Sequence, residues 1–364
     1  MKPQRTRASA LGAARHPLPE KGSPELRYTA SMQDASPSTT PYQDLTPDTL
    51  LTAVESTGRL TDGTLLALNS YENRVYQVGI EDSPPVIAKF YRPGRWPDEA
   101  ILEEHAFLQE LTQEEIPVVA PLVATGGATL LKHAAYRFTL FPRQGGRAPD
   151  LERPEQLEWL GRLIGRIHAV GAVRRFEHRL TLNAHALGRE PRAFLLESRF
   201  LPAELAPRYR EVTELLLAGV DRCFERAGRV QNIRLHGDCH PGNLLWTDAG
   251  PHFVDFDDCA TGPAVQDLWM LLSGSRADME GQLRDVIEGY RQFADFNPAE
   301  LHLVEALRAL RMLHYAAWIA RRWDDPAFPR AFPWFDGPRY WEEHIQVLRE
   351  QVPMLEESPL ALDL

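Results

Sequence analysis

Cysteine is scarce in this sequence: Cys223, Cys239 and Cys259 are the whole complement, odd in number and scattered. That argues against a disulfide framework and for a reducing compartment, the cytoplasm. Long apolar runs are missing too. None approaches the roughly 20 residues that span a bilayer, and the N-terminus has no secretory apolar segment, so a soluble protein with no membrane role is expected. Positive charge is in deficit, with 40 Lys and Arg against 51 Asp and Glu, a formal net charge of −11, and no basic stripe. Nucleic acid, whose phosphates call for clustered cations, is therefore not an expected partner. The short pairs Arg174-Arg175 and Arg321-Arg322 read as solvated faces or ion pairs. Residues 1–42 lack apolar periodicity and are rich in Ala, Pro, Ser and Thr, so they read as a disordered tail, with Met32 inside it a candidate translation start.

What is present suffices for two lobes, since 43% of 364 residues are hydrophobic. Thr46-Pro47-Asp48 has the form of a helix start, with Thr46 as cap, and Leu50, Leu51 and Val54 follow at helical spacing. Short β-prone runs come next, Leu65 to Leu68, Val75 to Val78 and Val86 to Tyr91, broken by turn residues, and they predict an antiparallel sheet. Glu103-Glu104 opens a helix with Ala106, Phe107, Leu108 and Leu111 as its apolar face, and Ala135 to Phe141 is a further strand. After Pro142-Arg143-Gln144-Gly145-Gly146 the pattern turns helical: Leu157, Leu160, Leu163, Ile164 and Ile167 recur at helical spacing, with Gly171 as a stop, and residues 190–228 give further helices with Leu215, Leu216, Leu217 and Val220 as core. The aromatic-rich stretch from Leu301 to Leu348 is mostly core, while Asp324-Asp325 and Glu342-Glu343 offer negative charge to a cationic acceptor.

The densest chemistry lies between Arg234 and Leu272. A polar cluster, His236-Gly237-Asp238-Cys239-His240-Pro241-Gly242-Asn243, precedes a short strand, His252-Phe253-Val254, that ends in Asp255, Asp257 and Asp258. Phosphoryl transfer from ATP requires a hydroxyl in line with the γ-phosphate and cations to neutralise charge. Asp238 suits the orientation of an acceptor hydroxyl and the removal of its proton. Asn243, five residues on, and Asp255, at the strand end, supply hard oxygens of the kind Mg²⁺ takes alongside phosphate and water. A zinc cluster built on His236, Asp238 and His240 with His252 nearby, or a plain polar turn, are the competing readings.

HGDCHPGNLLW with FVDFDD resembles the HxDxxxxN catalytic loop and metal-binding strand of the aminoglycoside phosphotransferase-like kinases, relatives of the eukaryotic protein kinases. More narrowly, LNSYENRVYQV, AKFYRPGRW, ILEEHAF, LHGDCHPGNLLW, GPAVQDLWMLLSG and RRWDDPAFP resemble the bacterial stress response kinase A (RdoA-type) family of serine/threonine protein kinases, over roughly residues 42 to 350. The resemblance implies that Lys89 holds the α- and β-phosphates and that a carboxylate holds Lys89 in turn. Glu104 suits that role because Phe107, Leu108 and Leu111 lie three, four and seven residues on; Glu103 is the alternative. In the loop Asn69 to Asn73, where kinases carry glycines over the phosphates, there is none; Ser70 is either an ATP contact or a plain turn residue. Backbone near Phe141, Arg143 and Gln144 would meet the adenine at the crossing between lobes. Asp267 and His236 read as braces of the catalytic loop and His168 as a packed histidine, while Asp257 is left between metal and acceptor. Asp257-Asp258 stand in place of the Phe-Gly pair of protein kinases, and Gly262-Pro263 leads at once into a helix over 265–272, so no activation segment is expected.

The expected fold is thus α+β, a protein-kinase-like two-lobed fold of aminoglycoside phosphotransferase type. Residues 43–141 form a small antiparallel-sheet N-lobe, 142–350 a mainly helical C-lobe, and 351–364 a C-terminal tail. The expected function is that of an ATP- and Mg²⁺-dependent serine/threonine protein kinase of stress response that also phosphorylates itself and acts as a monomer. The alternative keeps the site and accepts the hydroxyl of a small molecule such as an aminoglycoside, choline or a homoserine-like compound. A nucleotide-binding pseudokinase is disfavoured, because Lys89, Asp238, Asn243 and Asp255 are all present.

Overall fold

The computed structural model describes residues 41–362. The expected tail up to residue 40 and the Met32 start lie outside them. Helix α1 (Pro47–Glu55) begins where expected, with the Thr46 hydroxyl accepting a hydrogen bond from Thr49 N. The strands β1 (Thr61–Ala67), β2 (Arg74–Ile80) and β3 (Ser83–Phe90) follow, then α2 (Asp98–Gln113), β4 (Leu131–His133) and β5 (Tyr136–Pro142). They form one antiparallel sheet in the order β1-β2-β3-β5-β4. Its inner face, with Val78, Ala88, Phe90, Phe138 and Leu140, closes on Leu50, Ala53 and Val54 of α1. Tyr42, assigned to the tail by the sequence, belongs to this core: it is 9% exposed, and its hydroxyl donates to the Glu72 and Phe90 carbonyls.

Helix α2 starts at Asp98, earlier than Glu103-Glu104, with Asp98 and Glu99 favourably placed at its N-terminal turn. Its apolar face does not join the small sheet core. Ile101, Phe107, Leu108 and Leu111 pack into the large hydrophobic core of the helical lobe, and so couple the two lobes.

The C-lobe runs through α3 (Pro154–Gly171), α4 (Glu190–Glu197), α5 (Ala206–Ala227), β6 (Ile233–Leu235), β7 (Leu244–Thr247), β8 (Gly250–Phe253), β9 (Ala260–Gly262), α6 (Gln266–Trp269), α7 (Arg276–Tyr290), α8 (Val304–Arg321), α9 (Ala327–Ala331) and α10 (Pro338–Met354). Gly171 is not a stop but the last residue of α3; a Cβ there would stand 2.2 Å from the Arg234 carbonyl, so glycine lets β6 lie against the helix. Leu215 faces solvent on α5, whereas Leu216, Leu217 and Val220 are buried. Residues beyond 350 are not a free tail: α10 continues to Met354, and Leu355 and Leu360 are buried.

A buried acid supports the short helix α6 from below. Glu300, 3% exposed, accepts a hydrogen bond of 2.9 Å from Val265 N. Burial pushes its carboxyl up to about 7, against the pull of the Val265 and Ala264 N–H groups. The stability tied to this proton is present below the ordinary carboxyl range and is lost as pH rises to about 7. Glu300→Gln keeps an acceptor oxygen without the charge. Its Tm relative to wild type should therefore rise between pH 5 and pH 8, by the equivalent of at most about 3 kcal/mol. A Tm difference that stays flat across that interval would refute the assignment.

Candidate active site

The catalytic-loop sequence is held from behind by a buried acid. Asp267, 1% exposed on α6, accepts hydrogen bonds from His236 N and Gly237 N, both 2.8 Å. His168 Nε2 lies 3.1 Å from the same carboxylate, and Tyr290 OH lies 3.0 Å from His168 Nδ1. Gly237 has a φ of 85°, and a Cβ on it would meet the Asp258 carbonyl at 2.1 Å, so only glycine fits this turn. His236 reaches forward, with Nε2 2.9 Å from the Val254 carbonyl and its ring 4.3 Å from that of Phe256. Asp267, His236 and His168 thus take the structural places read for them. Their effect is to fix the turn carrying Asp238 against the strand end carrying Asp255.

Asp238 is buried, 2% exposed at its side chain. Asn243 spends its amide nitrogen on the Asp238 carbonyl at 3.0 Å, which leaves its amide oxygen as the group to offer a cation. Asp255 is 28% exposed and sits in the left-handed region, φ 57° and ψ 65°, a strained conformation for a residue with a side chain. One carboxylate and one amide oxygen are few ligands for a closed metal cage. They suit Mg²⁺, which keeps phosphate oxygens and water in its shell. Among the described residues, no group of three or more His, Cys, Asp and Glu side chains is arranged to hold a metal.

Lys89, on β3 one residue before its end, points inward and is 5% exposed. Its ammonium lies 3.0 Å from Asp257, 3.3 Å from Asp255 and 3.5 Å from Glu104. Burial alone would lower its pKa, but these three carboxylates outweigh burial and hold it well above the ordinary lysine value. Glu104 is the partner rather than Glu103, which accepts hydrogen bonds from the backbone of Glu177 and His178 instead. The other oxygen of Glu104 is held by Arg179 at 2.7 Å. Asp257, left open by the sequence, is completely buried between Lys89, Asn73 Nδ2 at 3.0 Å and Arg95, on the inner side of the lysine. Phe256 directly follows Asp255, so the departure from a Phe-Gly pair falls on Asp257 alone, and Pro263 leads into α6 within a few residues.

The loop Asn69 to Asn73 has no glycine, and buried charges anchor it. The Glu72 carboxylate, 0% exposed, meets Arg92 at 3.0 Å, Arg322 at 2.5 Å and the Trp318 indole N–H at 2.7 Å. Ser70 is half-buried on this loop. At the crossing between lobes Phe141 is half-buried at the end of β5, and the Arg143 guanidinium donates to Gln77 at the sheet surface, 2.8 Å away. The Arg143 side chain is therefore engaged on the sheet.

Sequence reasoning missed most of the buried arginines; it named only Arg322, as solvated or ion-paired, and Arg322 is buried in an ion pair with Glu72. Arg92 with Asp325, Arg95 with Asp258, Arg179 with Glu104 and Arg322 with Glu72 pair with buried acids across the lobe boundary, and Arg311 of α8 donates to Asp238 Oδ1 at 2.9 Å. The resemblance quoted Glu72, Asn73, Arg92 and Arg95 as motif letters without giving them partners. Asp325, expected to attract cations from outside, is 2% exposed and neutralised by Arg92 at 2.5 Å and Arg74 at 3.2 Å.

The model of the phosphotransferase enzyme family matches residues 64–304. The chain belongs to that family. Stress response kinase A of Escherichia coli strain K12 is 46% identical over 321 residues, covering 88% of this chain and 97% of that protein. The serine/threonine protein kinase RdoA of Salmonella typhimurium strain LT2 is 44% identical over the same shares. Among solved structures, an amicoumacin kinase in complex with AMP-PNP, Ca²⁺ and Ami matches with a TM-score of 0.64 at 16% identity, covering 84% of this chain and 92% of that one. A spectinomycin phosphotransferase in complex with ADP and spectinomycin matches with a TM-score of 0.60 at 13% identity, covering 88% of this chain and 99% of that one. These structures share the two-lobed fold. This phosphotransferase is a kinase, a stress response kinase A homologue, with the small antiparallel N-lobe and helical C-lobe expected of it. Among its described residues no helix is long and apolar enough to cross a membrane.

Proposed function

We propose that this phosphotransferase is a cytoplasmic, monomeric serine/threonine protein kinase that transfers the γ-phosphate of Mg²⁺-ATP to protein hydroxyls, its own among them. What supports the reading is that Lys89 lies 3.3 Å from Asp255 while Asn243, bonded to the Asp238 carbonyl, accepts from Val254 N beside Asp255, together with 46% identity to stress response kinase A. Asp238 orients the acceptor hydroxyl and takes its proton. Lys89 holds the α- and β-phosphates, released towards them from a carboxylate cage that fixes its position. Ser70 and the anchored loop cover the phosphates, and backbone at Phe141 and Arg143 meets the adenine. Asn243 and Asp255 hold Mg²⁺, which when bound neutralises charge on the transferring phosphates.

Two measurements test this. Purified protein is incubated with γ-labelled ATP and Mg²⁺, alone, with a generic basic protein, and with amine-bearing small molecules, using Asp238→Asn as the blank. Label on itself or on the protein supports the reading; label confined to a small molecule refutes the protein acceptor and leaves the kinase. Separately, Asp255→Ala should weaken Mg²⁺-dependent ATP binding by at least about tenfold in titration calorimetry, the usual scale for losing a metal-linked contact. Wild-type affinity in that variant would remove Asp255 from the metal shell.

A further inference from the structure

Both oxygens of the Asp238 carboxylate have neighbours of their own. Oδ2 lies 3.4 Å from His240 Nε2 and 3.5 Å from Asn243 Nδ2, within its own loop. Oδ1 lies 2.9 Å from Arg311 Nη1, which comes from α8, 73 residues away in sequence. The carboxylate is almost fully covered, whereas the Arg311 side chain is 24% exposed. Of the carboxylate's two cationic neighbours Arg311 is the more exposed, since the His240 side chain is 17% exposed. Arg311 is itself placed firmly, because Leu307, Leu310, Leu313 and His314 bury the neighbouring faces of α8, and its Nη1 also lies 3.7 Å from Met270 Sδ. Burial raises the Asp238 carboxyl, but His240 and Arg311 more than offset it and keep the group well below the usual carboxylate range.

An acceptor hydroxyl must hydrogen-bond to this carboxylate to lose its proton, and Oδ1 is the oxygen whose partner comes from outside the catalytic loop, while Oδ2 faces its own loop. We propose that Arg311 is a positioning residue of the transfer: it aims Asp238 Oδ1 at the acceptor hydroxyl and sets a positive charge beside the oxygen that attacks the γ-phosphate. The assignment rests on the kinase reading above, with Asp238 as base. An arginine suits the task because its planar fork fixes the carboxylate's direction, whereas a lysine supplies charge with less geometry.

Steady-state rates of Arg311→Ala and Arg311→Lys test it on the full chain, read both as label on the acceptor and as phosphate released to water. In Arg311→Ala, kcat should fall about 100-fold, the scale of a misplaced catalytic group, with KM for ATP within about twofold and AMP-PNP affinity unchanged. Arg311→Lys should recover at least about tenfold of that loss, since charge is restored without the fork. A kcat in Arg311→Ala equal to or above wild type overturns the proposal. So does a loss expressed wholly in KM for ATP, or a lysine variant no better than alanine. A wrong protein acceptor would move the label to another compound without changing the ratio of variant to wild type, so the two failures are distinguishable.

Discussion

Asp238→Asn should leave ATP affinity within about twofold of wild type and reduce transfer about 1,000-fold, in the middle of the range for losing a general base. Asparagine is the right probe because it preserves shape: its amide oxygen can still accept from Arg311 at the 2.9 Å position of Oδ1. What it lacks is the charge and the ability to take a proton. The lysine and the strand-end carboxylates proposed to face the phosphates are untouched, since Lys89 is held by Glu104, Asp255 and Asp257 and not by Asp238. The measurement pairs calorimetric ATP titration with transfer of γ-label. Wild-type turnover would sink the role of Asp238 as base. A collapse of ATP affinity would instead move Asp238 into the nucleotide site.

Glu72→Ala should cost about 3 to 5 kcal/mol of stability, a Tm drop on the order of 10 °C, because it strands charges inside the protein. Glu72 is fully buried and compensates two guanidinium groups, Arg92 at 3.0 Å and Arg322 at 2.5 Å, while also accepting from Trp318. Even with this partner, burial lowers the Arg322 pKa to about 10. Without it, a positive charge stays buried beside Arg92 and Arg95. Glu72→Gln, which keeps the shape and an acceptor for Trp318, should be less destabilised than Glu72→Ala. Thermal unfolding of both variants decides, and a Tm for Glu72→Ala within about 2 °C of wild type would show that the network contributes little. The network also explains how a loop without glycine is held in place. Glu72 and Asn73 are tied to Arg92, Asp257 and the C-lobe, so the loop's shape comes from anchors behind it and not from its own backbone freedom.

The acidic pair Asp324-Asp325 illustrates where sequence reasoning goes astray. Two adjacent carboxylates near the chain's end look like an exposed lure for cations, yet they face opposite ways: Asp324 is 98% exposed at its side chain and Asp325 is 1% exposed. Nothing in their spacing separates them. The separation comes from Arg74 and Arg92, more than 200 residues earlier, which turn Asp325 inward. Helix α2 teaches the same lesson for packing. Its apolar stripe is legible, but a stripe does not name the surface that covers it, and here the C-lobe core competes successfully with the small sheet.

The sequence by itself determined the order of the chemistry. Asp238, Asn243 and Asp255 lie close together in the chain, on a turn and a strand end whose glycine, proline and apolar letters dictate local backbone, and the β-prone runs before them dictate an antiparallel sheet. Helical periodicity favoured Glu104 over Glu103 as the partner of Lys89 that the resemblance implies, and the structure decides for Glu104. Only the tertiary structure decided what holds those groups: Arg311 on Asp238, Asp257 on Lys89, and the arginines around Glu72. The physical reason is distance along the chain. Local conformation depends on neighbours a few residues away and leaves a pattern, whereas a buried charge finds its partner wherever folding brings one, and the cost of leaving it unpaired is what selects the pairing.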